Sequence, residues 1–324
     1  MIQLLEQHLR GHWSLLDPAT PPPSSVHWLK LGMEEYPEKE SALLLLAFPA
    51  HGRWPLAVAK VARDPEGNAW LEGEGEQLRR LGQVLPEALA RRVPRLLHQG
   101  RINDCAFLLM TALPGEVELH NTWGARGAGG RGARLQAALD WALDLAAALP
   151  SAPLQPAAWL GTEALAAFWE DAIQVGWDAA LRQQLEARLE PHWQTHWPAG
   201  CAHGDYFPGN VLFRGRALSG VVDWTLATER APIFLDVLTY ECSFAVQAAR
   251  RGRLPEWREI RAVHDLAPLR TARLRLQSQG IDLGLGRPER FFTLLALHRT
   301  ARRAGRRPMG LAFARILQAE LAGR

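Results

Sequence analysis

The segments HGDYFPGNVLF (residues 203–213) and LSGVVDW (residues 218–224) follow each other closely and hold two aspartates and one asparagine. Each contains a short apolar run, and the intervening Arg214-Gly215-Arg216 is typical of a tight turn. A hairpin of this size returns the chain beside its start, so Asn210 and Asp223 are expected at neighbouring strand ends. Their oxygens are hard ligands, which Mg²⁺ binds while it keeps water or phosphate oxygens in its other positions. The pattern therefore predicts a magnesium site formed by Asn210 and Asp223.

The loop before this hairpin has the spacing H-x-D-x-x-x-x-N, which runs from His203 through Asp205 to Asn210. This is the spacing of the protein kinase catalytic loop, with Gly204 in place of the usual arginine. Asp205 would then accept the proton of an attacking hydroxyl. A surface loop with ordinary Asp and Asn residues is the alternative, because an Asp-x4-Asn match often occurs by chance. The His-Gly-Asp start, the Pro-Gly-Asn end and the following Asp-Trp favour an active site.

These segments resemble the catalytic segment of the aminoglycoside phosphotransferase and choline kinase-like superfamily, small-molecule kinases with a protein-kinase-like fold. The resemblance implies that Asp205 is the catalytic base and that Asn210 and Asp223 bind Mg²⁺. It also implies that His203 orients the loop rather than carrying a proton. Further on, APIFLD (residues 231–236) resembles the family's Pro-x-x-x-Asp element. Its aspartate, Asp236, is therefore expected to brace the catalytic loop.

A kinase also needs a lysine for the nucleotide phosphates and a glutamate that holds it. Lysine is scarce here, and Lys60 lies near the end of the apolar run LAVAKV (residues 56–61), which resembles the V-A-I-K of the kinase third strand. The periodicity predicts a helix over residues 68–84, in which Glu74 shares a face with three leucines and points inward to Lys60. Glu76 is the alternative partner. A solvated lysine at a strand end is the other interpretation of Lys60, and its apolar neighbours argue against it.

The strands predicted before residue 112 and the helices predicted after it indicate an α+β protein with two lobes. The resemblance implies a bilobal protein-kinase-like fold, with a small N-terminal nucleotide-binding lobe (residues 1–112) that contains an antiparallel sheet and one helix. The large, mainly helical C-terminal lobe (residues 113–324) would hold the catalytic and acceptor-binding site. The resemblance further places adenine against main-chain groups of the hinge, at Thr111 and Leu113.

Two features depart from the family pattern. The segment that should cover the phosphates, residues 32–41, has one glycine and four glutamates, and negative side chains near a triphosphate are unfavourable unless they point outward. Thr225 follows Asp-Trp where family members often carry an acid. A non-catalytic nucleotide-binding protein on the same fold is therefore kept as an alternative.

Composition and charge limit the remaining classes of function. The 324 residues, of which 48% are hydrophobic, can bury a large core, and there is no run of eighteen apolar residues that would predict a membrane span. Three widely spaced cysteines favour a reduced cytoplasmic protein. Residues 250–324 carry seventeen arginines against six acids, so a basic nucleic-acid-binding adaptor is a further alternative. A solvated helix face, or packing against acidic residues, is the more usual reason for such a charge excess.

The sequence thus predicts a kinase that transfers the γ-phosphoryl group of ATP, with Mg²⁺, to a hydroxyl of a small metabolite or aminoglycoside-like acceptor. Its expected partners are a nucleoside triphosphate and that acceptor, without membrane or nucleic acid. The acceptor's charge stays open. The side chains of Tyr206, Trp224, Glu229 and Glu241 would favour a cation, whereas the arginines after residue 250 would favour a sugar phosphate or an acid.

Overall fold

The computed structural model describes residues 1–31, 42–117, 128–161 and 163–323. The strands are β1 (Val26–Leu31), β2 (Ala42–Pro49), β3 (Ala57–Ala62), β4 (Leu96–Ile102), β5 (Cys105–Thr111), β6 (Glu116–Val117), β7 (Pro150–Leu154), β8 (Trp197–Ala202), β9 (Val211–Arg214), β10 (Ala217–Val221) and β11 (Thr228–Pro232). The helices are α1 (Ile2–Gly11), α2 (Trp13–Leu16), α3 (Asn68–Val84), α4 (Glu87–Ala90), α5 (Ala128–Ala148), α6 (Pro156–Leu160), α7 (Glu163–Ala172), α8 (Ala179–Leu189), α9 (Leu235–Glu241), α10 (Phe244–Arg250), α11 (Trp257–His264), α12 (Ala267–Gln277), α13 (Pro288–Arg303) and α14 (Arg307–Ala322).

Packing divides the chain into two compact units, each of which is discontinuous in sequence. The first unit comprises Met1–Val117, Asn210–Arg214 and Leu218–Ala227. The second comprises Glu118–Gly209, Gly215–Ala217 and Thr228–Arg324. The hairpin that follows the His-Gly-Asp loop therefore packs mainly with the first unit, although the loop itself belongs to the second.

The first unit is built on an antiparallel sheet with the strand order β1-β2-β3-β5-β4. Because side chains alternate along a strand, Ala57, Ala59 and Val61 of β3 point into one apolar cluster, which also contains Leu5 and Leu9 of α1. Lys60 lies between them in sequence and points to the opposite face. Helix α3 packs on that face against β5 and β4. The alternation of β3 thus directs one lysine toward the helix.

Helix α3 has the bounds predicted from the periodicity, residues 68–84. Its first residue ties it to the β4–β5 hairpin, because the Asn68 amide donates to Asp104 O at 2.8 Å and accepts from Ala106 N at 2.6 Å. The helix ends at Val84, since Leu85 adopts the extended conformation that Pro86 imposes on the residue before it. The start and the end of α3 are therefore both fixed.

The second unit combines a three-stranded sheet, in the order β11-β8-β7, with the helices from α5 onward. Helices α13 and α14 pack against each other, and α5 packs on β8, α9 and α12. Helix α8 stops at Leu189, a 3₁₀ turn follows over Glu190–His192, and β8 begins at Trp197. Pro191 within that turn lacks the N–H needed to continue the helix.

The chain has the α+β class expected from its sequence, with the antiparallel sheet in the first unit and most helices in the second. Within the described ranges, every helix is too short or too polar to cross a lipid bilayer.

Candidate active site

The first part of the candidate site is an ion pair between a half-buried lysine of β3 and a buried glutamate of α3. Lys60 Nζ lies 2.8 Å from each carboxylate oxygen of Glu74, whose side chain is 1% exposed. Glu76, the alternative partner, points to solvent and pairs with Arg79. The structure therefore brings together the lysine and the first-choice glutamate of the sequence prediction.

Asp223 also contacts Lys60. It lies two residues after the end of β10, with Val222 in between. Lys60 Nζ donates to Asp223 Oδ1 at 2.8 Å, so one ammonium lies between two carboxylates. Burial by itself lowers the pKa of Lys60, but the charges of Asp223 and Glu74 outweigh that effect and raise it above its ordinary value. Lys60 is thus held as a cation.

The backbone of Asp223 adopts a left-handed conformation, with φ of 66°. This region costs an L-residue about 1 kcal/mol, although aspartate tolerates it better than most. The turn directs the Asp223 side chain toward Lys60, and the next two residues contact Glu74. Trp224 N donates to Glu74 Oε1 at 3.2 Å, and Thr225 Oγ1 lies 3.1 Å from Glu74 Oε2.

In the sequence, Thr225 was only a departure from the family pattern. Its contacts with Glu74 and Asp223 were not predicted. Its hydroxyl lies 2.9 Å from Asp223 Oδ1 as well as near Glu74. A hydroxyl that follows a metal-ligand candidate by two residues was the available sequence signal. Single-sequence reasoning had no means of placing it against a helix 150 residues upstream.

The β9–β10 hairpin places Asn210 beside the residues that lead to Asp223, because Val222 N donates to Asn210 O at 2.9 Å. Together they offer a carboxamide and a carboxylate, which are hard oxygen donors that fit Mg²⁺. Among the described residues, no group of three or more His, Cys, Asp or Glu side chains is arranged to hold a metal ion. One carboxamide and one carboxylate would leave the other positions around such an ion to water or phosphate oxygens.

The second part of the candidate site is the loop that carries Asp205. Asp236, at the start of α9, accepts hydrogen bonds from His203 N at 2.7 Å and from Gly204 N at 3.0 Å. The buried His203 ring accepts from Asp205 N through Nδ1 at 3.3 Å. Gly204 has φ of 80°, which an L-side chain would disfavour. These contacts fix the backbone on both sides of Gly204 and at Asp205.

The pKa of Asp236 is higher than is usual for an aspartate. Burial raises its pKa to about 6, although the hydrogen bonds from His203 and Gly204 act in the opposite direction. The negative charge of Asp205 makes a smaller contribution to this rise in pKa. The carboxylate that anchors the loop is therefore ionised at neutral pH and becomes protonated in mild acid.

Three of the four residues named for a cationic acceptor are unavailable to a ligand. Tyr206 and Trp224 are 0% exposed, and their polar atoms donate to Ala138 O and Val221 O. Glu241 is 1% exposed and pairs with Arg290 at 2.8 Å. The expectation that these three side chains favour a cation is therefore wrong, because each is a core residue.

Thr111 and Leu113 lie at the end of β5 and just beyond it. Thr111 N donates to Arg95 O at 2.9 Å, and the Thr111 hydroxyl accepts from Arg95 N at the same distance. Leu113 packs so closely on Gly220 that a Cβ there would be 2.7 Å from Leu113 Cδ1. The β5 end is thus fixed to β4 and to β10. The predicted phosphate-covering segment, residues 32–41, lies outside the described residues.

Several of the arginines after residue 250 have acidic partners in the second unit. Arg290 is 2% exposed and lies between Glu320 at 2.7 Å and Glu241 at 2.8 Å. More exposed pairs are Arg253–Glu259, Arg275–Asp144, Arg287–Asp282 and Arg302–Glu170. For these arginines, packing against acids is the observed arrangement.

The chain is similar in sequence to known phosphotransferases and kinases. The phosphotransferase enzyme family (APH) matches residues 56–276. The homoserine kinase of Bradyrhizobium sp. strain BTAi1 is 34% identical over 96 residues, which is 30% of this chain and 27% of that protein. The chain thus spans well under two thirds of the length of the curated relatives it matches.

Two solved structures share the fold at low sequence identity. Aminoglycoside-3'-phosphotransferase of type VIII has a TM-score of 0.50 at 20% identity, covering 89% of this chain and 98% of that one. The ethanolamine kinase of Plasmodium vivax has a TM-score of 0.53 at 10% identity, covering 97% of this chain and 87% of that one. The kinase-like fold expected from the sequence is confirmed. Since the family match extends over more than half of the chain and includes both the Lys60 strand and the Asp205 loop, the protein belongs to the phosphotransferase enzyme family.

Proposed function

We propose that this protein transfers the γ-phosphoryl group of ATP to a hydroxyl group of a small molecule. The observation that carries the proposal is the cluster in which Lys60 Nζ lies 2.8 Å from both Glu74 and Asp223. A lysine held by a helix glutamate beside a metal-binding aspartate is the arrangement that kinases use to position phosphates. A purely structural ion pair has no need of the second carboxylate, which leaves Lys60 between two acids.

In this proposal Lys60 contacts the nucleotide phosphates, and Glu74 fixes the direction of its side chain. Asn210 and Asp223 would hold Mg²⁺, which would supply positive charge that offsets the negative charge of the phosphates. Asp223 then has two roles, because Oδ1 already faces Lys60 and Thr225. Most of the rate enhancement would come from positioning and from electrostatic stabilisation of the transferred group.

Asp205 would orient the acceptor hydroxyl and take its proton as the phosphoryl group moves. The three hydrogen bonds made by Asp236 and His203 support this role, since a general base must be held within hydrogen-bond reach of its substrate. His203 is 0% exposed, which favours loop orientation over proton transfer for this residue.

The adenine ring would bind main-chain groups at Thr111 and Leu113. Because Thr111 N already donates to Arg95 O, an adenine contact at Thr111 would use its carbonyl oxygen, and a contact at Leu113 would use its N–H. The two-lobe division at residue 112 belongs to the same proposal. So does a cytoplasmic location, which fits ATP as the phosphoryl donor.

The acceptor class follows from fewer observations. The homoserine kinases match only part of the chain, so a homoserine-like amino alcohol is one candidate among several. Glu229 is the exposed residue among the four first considered for a cation. An amine-bearing alcohol is therefore the acceptor class to test first, with sugar phosphates second.

The test is an assay of ADP release by the purified protein with Mg-ATP and a panel of homoserine, ethanolamine, aminoglycosides and sugar phosphates. Phosphorylated product is identified by ³¹P NMR and mass spectrometry. Acceptor-dependent ADP release with a phosphorylated product is expected. Mg-dependent ATP binding without turnover across a broad metabolite panel would instead favour the non-catalytic nucleotide-binding alternative.

A further inference from the structure

Thr225 places one hydroxyl group between two carboxylates that belong to different elements. Its Oγ1 lies 2.9 Å from Asp223 Oδ1 and 3.1 Å from Glu74 Oε2. Glu74 belongs to α3, whereas Asp223 and Thr225 belong to the segment after β10. All three residues lie in the first packing unit.

A threonine hydroxyl has a single proton to donate, and ionised carboxylates only accept. The hydroxyl proton is therefore shared by Glu74 and Asp223 or alternates between them. Lys60 also contacts both carboxylates, so the two acids are joined by one cation and one neutral donor. Trp224 N also connects the segment after β10 to α3, because it donates to Glu74 Oε1 at 3.2 Å.

We propose that Thr225 is a positioning residue that couples the orientation of the Asp223 carboxylate to helix α3. This inference rests on the proposed function, in which Asp223 binds the metal that accompanies the nucleotide. The Asp223 backbone, with φ of 66°, is in a region that disfavours a side chain. The Thr225 hydroxyl, which also contacts the 1% exposed Glu74, holds the Asp223 side chain in that conformation.

The chemistry of the site explains why a neutral donor suits this position. An acidic side chain at residue 225 would place a third carboxylate beside Glu74 and Asp223, with Lys60 as the shared cation. Repulsion between like charges would then turn Asp223 away from Glu74 or raise the pKa of one acid. A threonine instead offers its one proton to either carboxylate and adds no charge, which leaves the charge of both acids for Lys60 and the metal.

The experiment measures ADP binding by calorimetry at graded Mg²⁺ concentrations, and steady-state kinetics wherever an acceptor is known. Thr225→Val keeps the shape and removes the hydroxyl, whereas Thr225→Ser keeps the hydroxyl. Removing a hydrogen bond to a charged group should raise the Mg²⁺ concentration needed for half-maximal ADP binding about tenfold in the valine variant. The serine variant should stay within about twofold of wild type.

Thr271→Val is the matched control, since the Thr271 hydroxyl donates only within α12, to Ala267 O. Thr225→Ala replaces the valine variant if valine prevents folding, which a thermal melt reports. Equal Mg²⁺ dependence in wild type and the valine or alanine variant would overturn the inference, as would a serine variant as impaired as valine. If wild-type protein binds ADP without any Mg²⁺ dependence, the result contradicts the proposed function as well. The failure of the inference about Thr225 and the failure of the proposed function therefore give different results.

Discussion

Lys60 and Glu74, fourteen residues apart, form a largely desolvated ion pair with 2.8 Å between Nζ and each carboxylate oxygen. Taking both charges out of water is costly, so the pair is no guarantee of stability by itself. Its geometry is better explained by a requirement for a fixed ammonium at this point of the sheet. Removing Glu74 would leave the Lys60 ammonium with only one of its two carboxylate contacts, Asp223, and the effect on stability can be measured.

Glu74→Gln should destabilise the protein and impair phosphoryl transfer together. With a neutral carboxamide at residue 74, Lys60 keeps Asp223 and loses the other of its two carboxylate contacts. We therefore expect a loss of about 2–3 kcal/mol in the free energy of unfolding. Since Lys60 would then turn toward Asp223, kcat/KM should fall at least about tenfold. Urea unfolding and steady-state kinetics measure the two effects.

Glu76→Gln is the matched control for that variant, because Glu76 lies on the exposed side of the same helix and pairs with Arg79. It should change the free energy of unfolding by less than about 0.5 kcal/mol. Equal effects of the two substitutions would mean that Glu74 has no special relation to Lys60.

Asp205→Asn should lower kcat by a factor of about 10² to 10⁴ while the affinity for Mg-ADP stays near that of wild type. The carboxamide can still contact a hydroxyl but cannot take its proton. Kinetics with the identified acceptor and calorimetric ADP binding separate the two quantities. Asp144→Asn, which removes an exposed carboxylate paired with Arg275, should leave both unchanged. Unimpaired turnover by the Asp205 variant would exclude Asp205 as the base.

Residue patterns were enough to predict the first part of the site. The four-residue and seven-residue spacings from Glu74 to Leu78 and Leu81 put one acid on the buried face of α3, and all three are buried. The apolar run before Lys60 gave the strand that faces this helix. Both inferences use local periodicity, which a single sequence carries well.

Contacts between distant segments were beyond that reasoning. The Thr225 hydroxyl meets Glu74 across 151 positions, and no periodicity connects them. The β11-β8-β7 sheet was also missed. Its strands are short, and Pro150, Pro153 and Pro198 conceal the alternation by which strands are recognised. Exposure of Tyr206 and Trp224 was misjudged because aromatic residues beside a catalytic motif can equally well pack inward.

Two glycines that flank Glu74 should respond oppositely to alanine. A Cβ on Gly75 would lie 2.5 Å from Gln99 Oε1 and 2.8 Å from Leu108 Cδ2, so Gly75→Ala forces these packed side chains, or α3 itself, to shift. We expect a loss of about 1–3 kcal/mol in the free energy of unfolding. Gly73 has no atom within 4 Å of such a Cβ, and Gly73→Ala should stabilise the helix by about 0.5–1 kcal/mol. Urea unfolding of both variants checks the pair, and the same sign for both would contradict the packing of α3.

Asp236 should give the enzyme an acid limb near pH 6. Burial raises the pKa of Asp236 to about 6 from its ordinary value of 3.8. Protonation weakens its ability to accept from both His203 N and Gly204 N, so the Asp205 loop loses its anchor and kcat should fall as the pH drops through 6. The pH dependence of kcat measures this limb.

The stability of the fold has the opposite dependence on this group. Because the pKa is higher in the folded state than in the unfolded chain, the folded state takes up the proton first, and Asp236 contributes more stability as the pH falls from about 6 toward 3.8. Loss of activity in that window is therefore not caused by unfolding through Asp236, which thermal melts across the same pH range can verify. Asp236→Asn removes the titration and presents an NH₂ group to one of the two backbone donors, so kcat should be lower at pH 8 and the limb at pH 6 should disappear. An unchanged acid limb in the asparagine variant would assign the limb to another group and leave Asp236 with an anchoring role that is independent of pH.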